Sequence, residues 1–192
     1  MKIIGLTGGI GSGKSIVSKV FATFNIPVYN SDIEAKKLMN SSSEIKEKLI
    51  SEFGSEVYLN NTLNRKFLAN IIFNDKQKLE FVNSVVHPVV INHFKKWVSQ
   101  QKTTYVIKEN AILFESGMHK NVDFIITVTA PEDIRIERVI KRDGSTYKEV
   151  KARILNQISD KEKVKRSDFV IYNDDKKLIL PQIIKIHKKM IK

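Results

Sequence analysis

Cysteine is absent from all 192 residues, which excludes disulfides, thiolate metal sites and thiol redox chemistry. Proline is rare, four in all, and no linker, internal repeat or low-complexity tract interrupts the chain beyond the turn-like Ser41-Ser42-Ser43. No apolar run approaches the ~18 residues that a membrane span requires. The chain enters a β-prone segment at once, without a basic-then-apolar leader. A cytoplasmic protein with no membrane partner is therefore expected. Acids are also short: 21 Asp and Glu against 33 Lys and Arg leave a net charge of +12. Such a surface attracts anions, whether nucleic acid or an anionic metabolite together with ATP. Solvated lysines on a Lys-rich chain give the same signature, so charge does not choose among them.

Glycine is scarce too, eight residues in all, yet four of them fall within LTGGIGSGKS, Leu6 to Ser15. Lys2 to Leu6 before it is short and β-prone, and Ile16 to Phe24 after it is apolar at helical spacing. Strand, glycine loop, helix is the order of a P-loop, and Gly8-x-x-x-x-Gly13-Lys14-Ser15 has its spacing. Glycines let backbone approach a ligand closely. The amides of Gly9, Ile10, Gly11, Ser12, Gly13, Lys14, Ser15 and Ile16 would then form an anion nest at a helix N-terminus, where the macrodipole also favours negative charge. Lys14 supplies a point charge for the outer phosphates of ATP, and the Ser15 hydroxyl is the candidate Mg²⁺ ligand. The loop holds nucleotide phosphates.

A chain of 22.0 kDa with 42% hydrophobic and 28% charged residues is one domain's worth of ordinary globular protein. Candidate strands are KIIGL, IPVY (26–29), YVIKE (105–109), FIITVT (124–129) and DFVIY (168–172), with helical patterns between them. This predicts an α/β three-layer sandwich around a five-stranded parallel sheet. The stretch from Asp32 to Gln101 reads as helical and far exceeds a crossover, so an inserted region for a second substrate is expected there. The GTPase signals DxxG and NKxD occur nowhere, which disfavours a guanine switch.

Asn30-Ser31-Asp32 follows the second strand, on the rim where a P-loop would lie. Asp32 could accept a proton from an attacking hydroxyl. Ser31-x-x-Glu34 also has the form of a capping box, which would make Asp32 a first-turn acid; local residues favour that reading. In EDIRIERVIKRDG, Arg135, Arg138 and Arg142 recur at helical spacing. Asp143-Gly144 closes that helix, and Thr146-x-x-Glu149 caps the next. Pro88 reads as the first residue of a helix, with His87 on its flank.

GLTGGIGSGKS, IPVYNSD, VVHP, ILFESG, RVIKRDG, ILNQ and SDFVIYN, in this order, resemble the dephospho-CoA kinase family nearly end to end. The resemblance implies ATP-dependent phosphorylation of the 3′-hydroxyl of dephospho-CoA, the last step of coenzyme A synthesis, with Mg²⁺ accompanying ATP; the charge of +12 without a recognisable reading element predicts no specific nucleic-acid partner. The resemblance also implies a kinase core over 1–31, 102–134 and 167–192, a helical CoA-binding region over 32–101 and a lid over 135–166. It moves Asp32 from cap to general base, and assigns Arg65, His87 and Glu115 to the acceptor side. Glu115 would orient metal-bound water or cap the following turn. Arg138, Arg142, Gln157 and Lys163 match the lid, with Arg142 the foremost candidate to meet the moving phosphoryl, and Asn173 matches a position near adenine. Three positions depart from the family pattern: Asn30 where an aspartate is usual, Ala69 where a second arginine is common after Arg65, and Ala111 in place of proline.

Overall fold

The computed structural model describes residues 1–73 and 75–192, with the side chain of Phe73 outside the description. The chain divides into two compact units, one of Met1–Asn30 with Gln101–Lys192, the other of Ser31–Gln100.

The larger unit is built on five parallel strands: β1 (Lys2–Thr7), β2 (Val28–Asn30), β5 (Tyr105–Glu109), β6 (Phe124–Thr129) and β7 (Phe169–Tyr172), in the order β2-β5-β1-β6-β7. All five expected strands are present, and all pair in parallel. β1 lies in the middle, with Leu6 opposite Glu109 of β5 and Ile126 of β6. Every residue of β5 is buried, as a strand covered on both faces must be. Two helices, α1 (Lys14–Thr23) and α9 (Ile179–Met190), lay Val17, Phe21, Ile183, Ile186 and Met190 onto Ile4, Leu6, Ile107, Ile126 and Val128 of the sheet. β2 starts at Val28 because Pro27, which has no N–H to donate, only accepts from Ile107 N (2.9 Å). On the β7 edge the Gln182 side chain both accepts from Tyr172 N (2.9 Å) and donates to Tyr172 O (3.0 Å), taking the place of a neighbouring strand at that residue.

Between β6 and β7 run α6 (Glu132–Asp143), α7 (Tyr147–Leu155) and α8 (Asp160–Lys165). Gly144 ends α6 at φ 66°, and Thr146 and Glu149 form a reciprocal capping box at α7, as the sequence indicates. Ile136, Val139 and Val150 make a small core between these helices.

The smaller unit contains α2 (Ser31–Ser41), α3 (Ser43–Phe53), α4 (Arg65–Phe73) and the 24-residue α5 (Lys76–Ser99). A two-stranded antiparallel hairpin, β3 (Tyr58–Leu59) with β4 (Thr62–Leu63), breaks what the sequence suggested was wholly helical. Asn60 and Asn61 turn it with φ of 46° and 66°, a left-handed pair that asparagine tolerates. Two further expectations are corrected. Pro88 lies inside α5 and does not begin a helix; the helix continues past it because Val82, Val85, Val86, Val90 and Phe94 bury one face on both sides. Ser31 is the first residue of α2, and its buried hydroxyl has no hydrogen-bond partner, so it forms no capping box with Glu34. Glu34 instead pairs with Lys37 at 2.7 Å. Among the described residues, no helix is long and apolar enough to cross a membrane.

Candidate active site

The glycine loop runs from the carboxyl end of the central strand β1 into the first turn of α1. Gly13 stands at the N-cap with φ 94° and no side-chain cap, so the opening turn of the helix receives no side-chain acceptor from it. The φ is one that L side chains avoid, and a Cβ there would lie 2.2 Å from Asn173 Nδ2. Gly11, at φ 79°, passes so close to α6 that a Cβ would lie 2.3 Å from the Arg135 carbonyl oxygen. Glycine at both positions is thus required by conformation and by space.

Three of the amides expected in the nest are committed elsewhere in this structure. Ile10 N donates to Gln157 Oε1 (2.9 Å), Ser12 N to Gly9 O (3.1 Å) and Ile16 N to Gly13 O (3.0 Å). The Lys14 ammonium folds back over the loop, donating to Gly8 O at 2.7 Å and Gly9 O at 3.4 Å. Ser15 presents an exposed side chain in the same turn. The Ser12 hydroxyl is buried in the loop without a hydrogen-bond partner.

Around the loop stand two of the residues expected to meet ATP. Asn173 is buried at the end of β7 and donates from Nδ2 to Ser12 O at 2.8 Å. Arg138 donates to Asn173 O at 3.0 Å, reaches Gly11 O at 3.5 Å and pairs with Asp175 at 2.5 Å. Arg135 is buried against Asp160, which also accepts from Thr129 Oγ1 at 2.9 Å. The structure therefore brings Gly9–Ser15, Arg138 and Asn173 together. Arg142 is not among them: it is exposed and holds Asp143 through Nε (2.7 Å) and Nη2 (2.9 Å). That bidentate contact keeps Asp143 below the usual carboxylate range and raises Arg142.

Glu115 is engaged by the segment after α7. It accepts from Ile158 N at 3.0 Å and lies 3.1 Å from the ammonium of Lys163, which is wholly buried. The buried acid that the sequence reading passed over is Glu109, last residue of β5, whose Oε2 accepts from Ser18 Oγ on α1 at 2.6 Å. Its signal was available: an acid closes the fully buried strand that pairs with the P-loop strand. Asp175, the partner of Arg138, was also missed; it adopts φ 59°, uncommon for a residue other than glycine.

In the smaller unit, Asp32 is a half-buried acid in the first turn of α2. Arg65 opens α4 and, with Ile33, Lys36, Lys37, Asn40 and Ser41, lines a groove of about 700 Å³. Three cations beside Ile33, with Lys37 paired to Glu34, suit an anionic ligand. His87 lies within α5, and burial lowers its pKa, which favours the neutral imidazole.

A family model described as dephospho-CoA kinase matches residues 2–178. The dephospho-CoA kinase of Bacteroides fragilis is 41% identical over 184 residues, spanning 95% of this chain and 90% of the relative. That of Porphyromonas gingivalis is 41% identical over 187 residues, spanning 97% and 93%. Among solved structures, TT1252 from Thermus thermophilus superposes with a TM-score of 0.89 at 31% identity, covering 100% of this chain and 98% of that one. With a family match that takes in both the phosphate loop and the helical insertion, the chain belongs to the dephospho-CoA kinase family.

Proposed function

We propose that this enzyme transfers the γ-phosphoryl group of ATP in line to the ribose 3′-hydroxyl of dephospho-CoA, with the residues above in distinct roles. The observation that carries the reaction is the family match over residues 2–178; the observation that carries the mechanism is Lys14, poised at the mouth of the loop.

The amides of the loop at the start of α1 hold the phosphates, and the Lys14 ammonium exchanges the Gly8 and Gly9 carbonyls for the outer phosphate oxygens. Arg138 balances charge beside the loop, and Asn173 fixes the shape of its second half while lining the approach to adenine. Ser15 would hold Mg²⁺. A single exposed hydroxyl fits an ion that keeps several waters and binds chiefly through substrate phosphates, and among the described residues no cluster of three His, Cys, Asp or Glu offers a protein-built cage. When bound, the ion neutralises charge on the β- and γ-phosphates.

On the acceptor side, residues 32–101 form the CoA-binding region, with Lys36, Lys37 and Arg65 meeting the anionic part of the substrate and His87 contacting the acceptor nucleotide. Asp32 takes the proton of the 3′-hydroxyl as the bond to phosphorus forms. Residues 135–166 act as the lid, and Arg142 reaches the moving phosphoryl by exchanging Asp143 for it. Glu115 acts by holding Lys163 and the Ile158 amide, which fixes the base of that lid.

The test is an acceptor panel with labelled ATP. Label should pass to dephospho-CoA far faster than to any nucleoside monophosphate. Comparable transfer to a nucleoside monophosphate would assign the enzyme a different acceptor.

A further inference from the structure

The tip of the phosphate loop is bound to the lid helices by both its backbone and its side chain. Ile10, the only large residue between Gly8 and Gly13, packs its side chain against the Ile136, Val139 and Val150 core together with Ile154. Its amide proton is taken by Gln157 Oε1, which arrives from just beyond α7, 147 residues along the chain. The residues on either side are enclosed by the same helices. A Cβ on Gly9 would meet Arg135 Nη1 and Asp160 Oδ1, and one on Gly11 would meet the Arg135 backbone.

The contacts of Lys14 mark which end of the loop this is. Its ammonium, the group that reaches the outer phosphates in such loops, rests on Gly8 O and Gly9 O. Ile10 is the next residue, so its tip borders the outer phosphate and not the inner ones held at the start of α1. An amide at that place, left free, would be one more donor in the nest, able to pull the tip off the lid helices. Gln157 takes that donor away.

We propose that Gln157 is a positioning residue for phosphoryl transfer: by accepting the Ile10 N–H it holds the loop tip on the lid helices, in the shape that receives the γ-phosphate. The lid helices and the outer half of the phosphate loop are then held as one piece. This rests on the P-loop reading of Gly8–Ser15 given above.

The experiment compares the free enzyme with Gln157→Met, which keeps length and loses the strong acceptor, and with Gln157→Glu, which keeps the acceptor. Amide hydrogen exchange at Ile10, followed by NMR, should accelerate about tenfold in Gln157→Met, the loss of one hydrogen bond, and stay slow in Gln157→Glu. Affinity of Gln157→Met for a non-hydrolysable ATP analogue should fall about tenfold while ADP affinity changes less than about twofold. If the methionine variant loses its fold, Gln157→Asn, which withdraws the acceptor by one methylene, replaces it. Unchanged Ile10 exchange, or equal weakening of ATP and ADP, overturns the proposal. Failure of the underlying P-loop reading looks different: Lys14→Ala would then bind ATP and turn over normally.

Discussion

The Glu115–Lys163 pair separates a structural role from a chemical one. Lys163 is 0% exposed at its side chain and Glu115 19%, with 3.1 Å between them. Glu115→Gln keeps the size and can still accept from Ile158 N, but it leaves a buried ammonium without its counter-charge. Breaking a buried pair from one side costs about 3–5 kcal/mol. The partial exposure of Glu115 argues for the lower end, about 3 kcal/mol, or about 6–12 °C in Tm for a chain of this size. Lys163→Met removes the charge and keeps most of the packing, so it should cost no more than about 1–2 kcal/mol. The double variant should cost about 2–3 kcal/mol, less than the sum of about 4–5 kcal/mol for the two single changes, giving a coupling energy of about 2 kcal/mol in a double-mutant cycle. Urea titration of all four proteins measures this directly. Additive effects, or Glu115→Gln melting within about 2 °C of the parent, would refute it. Specific activity of the folded double variant decides the remainder: a large loss at full stability would return Glu115 to the substrate or to metal-bound water.

Lys14→Ala should lower kcat by about 10²–10³-fold and weaken ATP more than dephospho-CoA; steady-state kinetics on protein shown to be folded by circular dichroism checks it. Asp32→Asn should lower kcat by about 10²–10⁴-fold with ATP affinity and Tm nearly unchanged if the residue is the base. A first-turn acid alone would change only stability, by less than about 1 kcal/mol. Gly11→Ala should cost at least about 1 kcal/mol from its left-handed backbone alone, and displace the loop from Arg135; calorimetry with an ATP titration should show both losses.

The features legible in the sequence are those written in local pattern. The P-loop is contiguous, and the five strands carry their own apolar runs, so neither needs distant contacts to be recognised. Gly144 and the Thr146–Glu149 box are likewise local chemistry. The hairpin at Asn60-Asn61 escaped because strands of two residues have no period to detect, only a turn. Pro88 was misread because its penalty is local while the burial that outweighs it extends along the whole of α5. Ser31 had the right spacing for a cap but was carried one position too far into α2. Side-chain partners were the least legible. Nothing near Gln157 in sequence points to Ile10, and nothing near Arg138 points to Asp175. Arg142 shares a helical spacing with Arg135 and Arg138, yet one is buried, one lies on the loop and one faces solvent.

The Gln182 amide bears on how the protein behaves in a crowded solution. A sheet that ends in β7 offers its outer backbone groups to any other extended chain, and stacking through such edges is a common route to self-association. Gln182 fills the Tyr172 donor and acceptor at once from its own helix, so an incoming strand meets a position that is already paired. Lys185 and Lys189 line the same cleft, and two copies approaching edge to edge would bring these like charges together. At Tyr172 the edge is thereby guarded by one neutral side chain, with two charged ones in the cleft beside it.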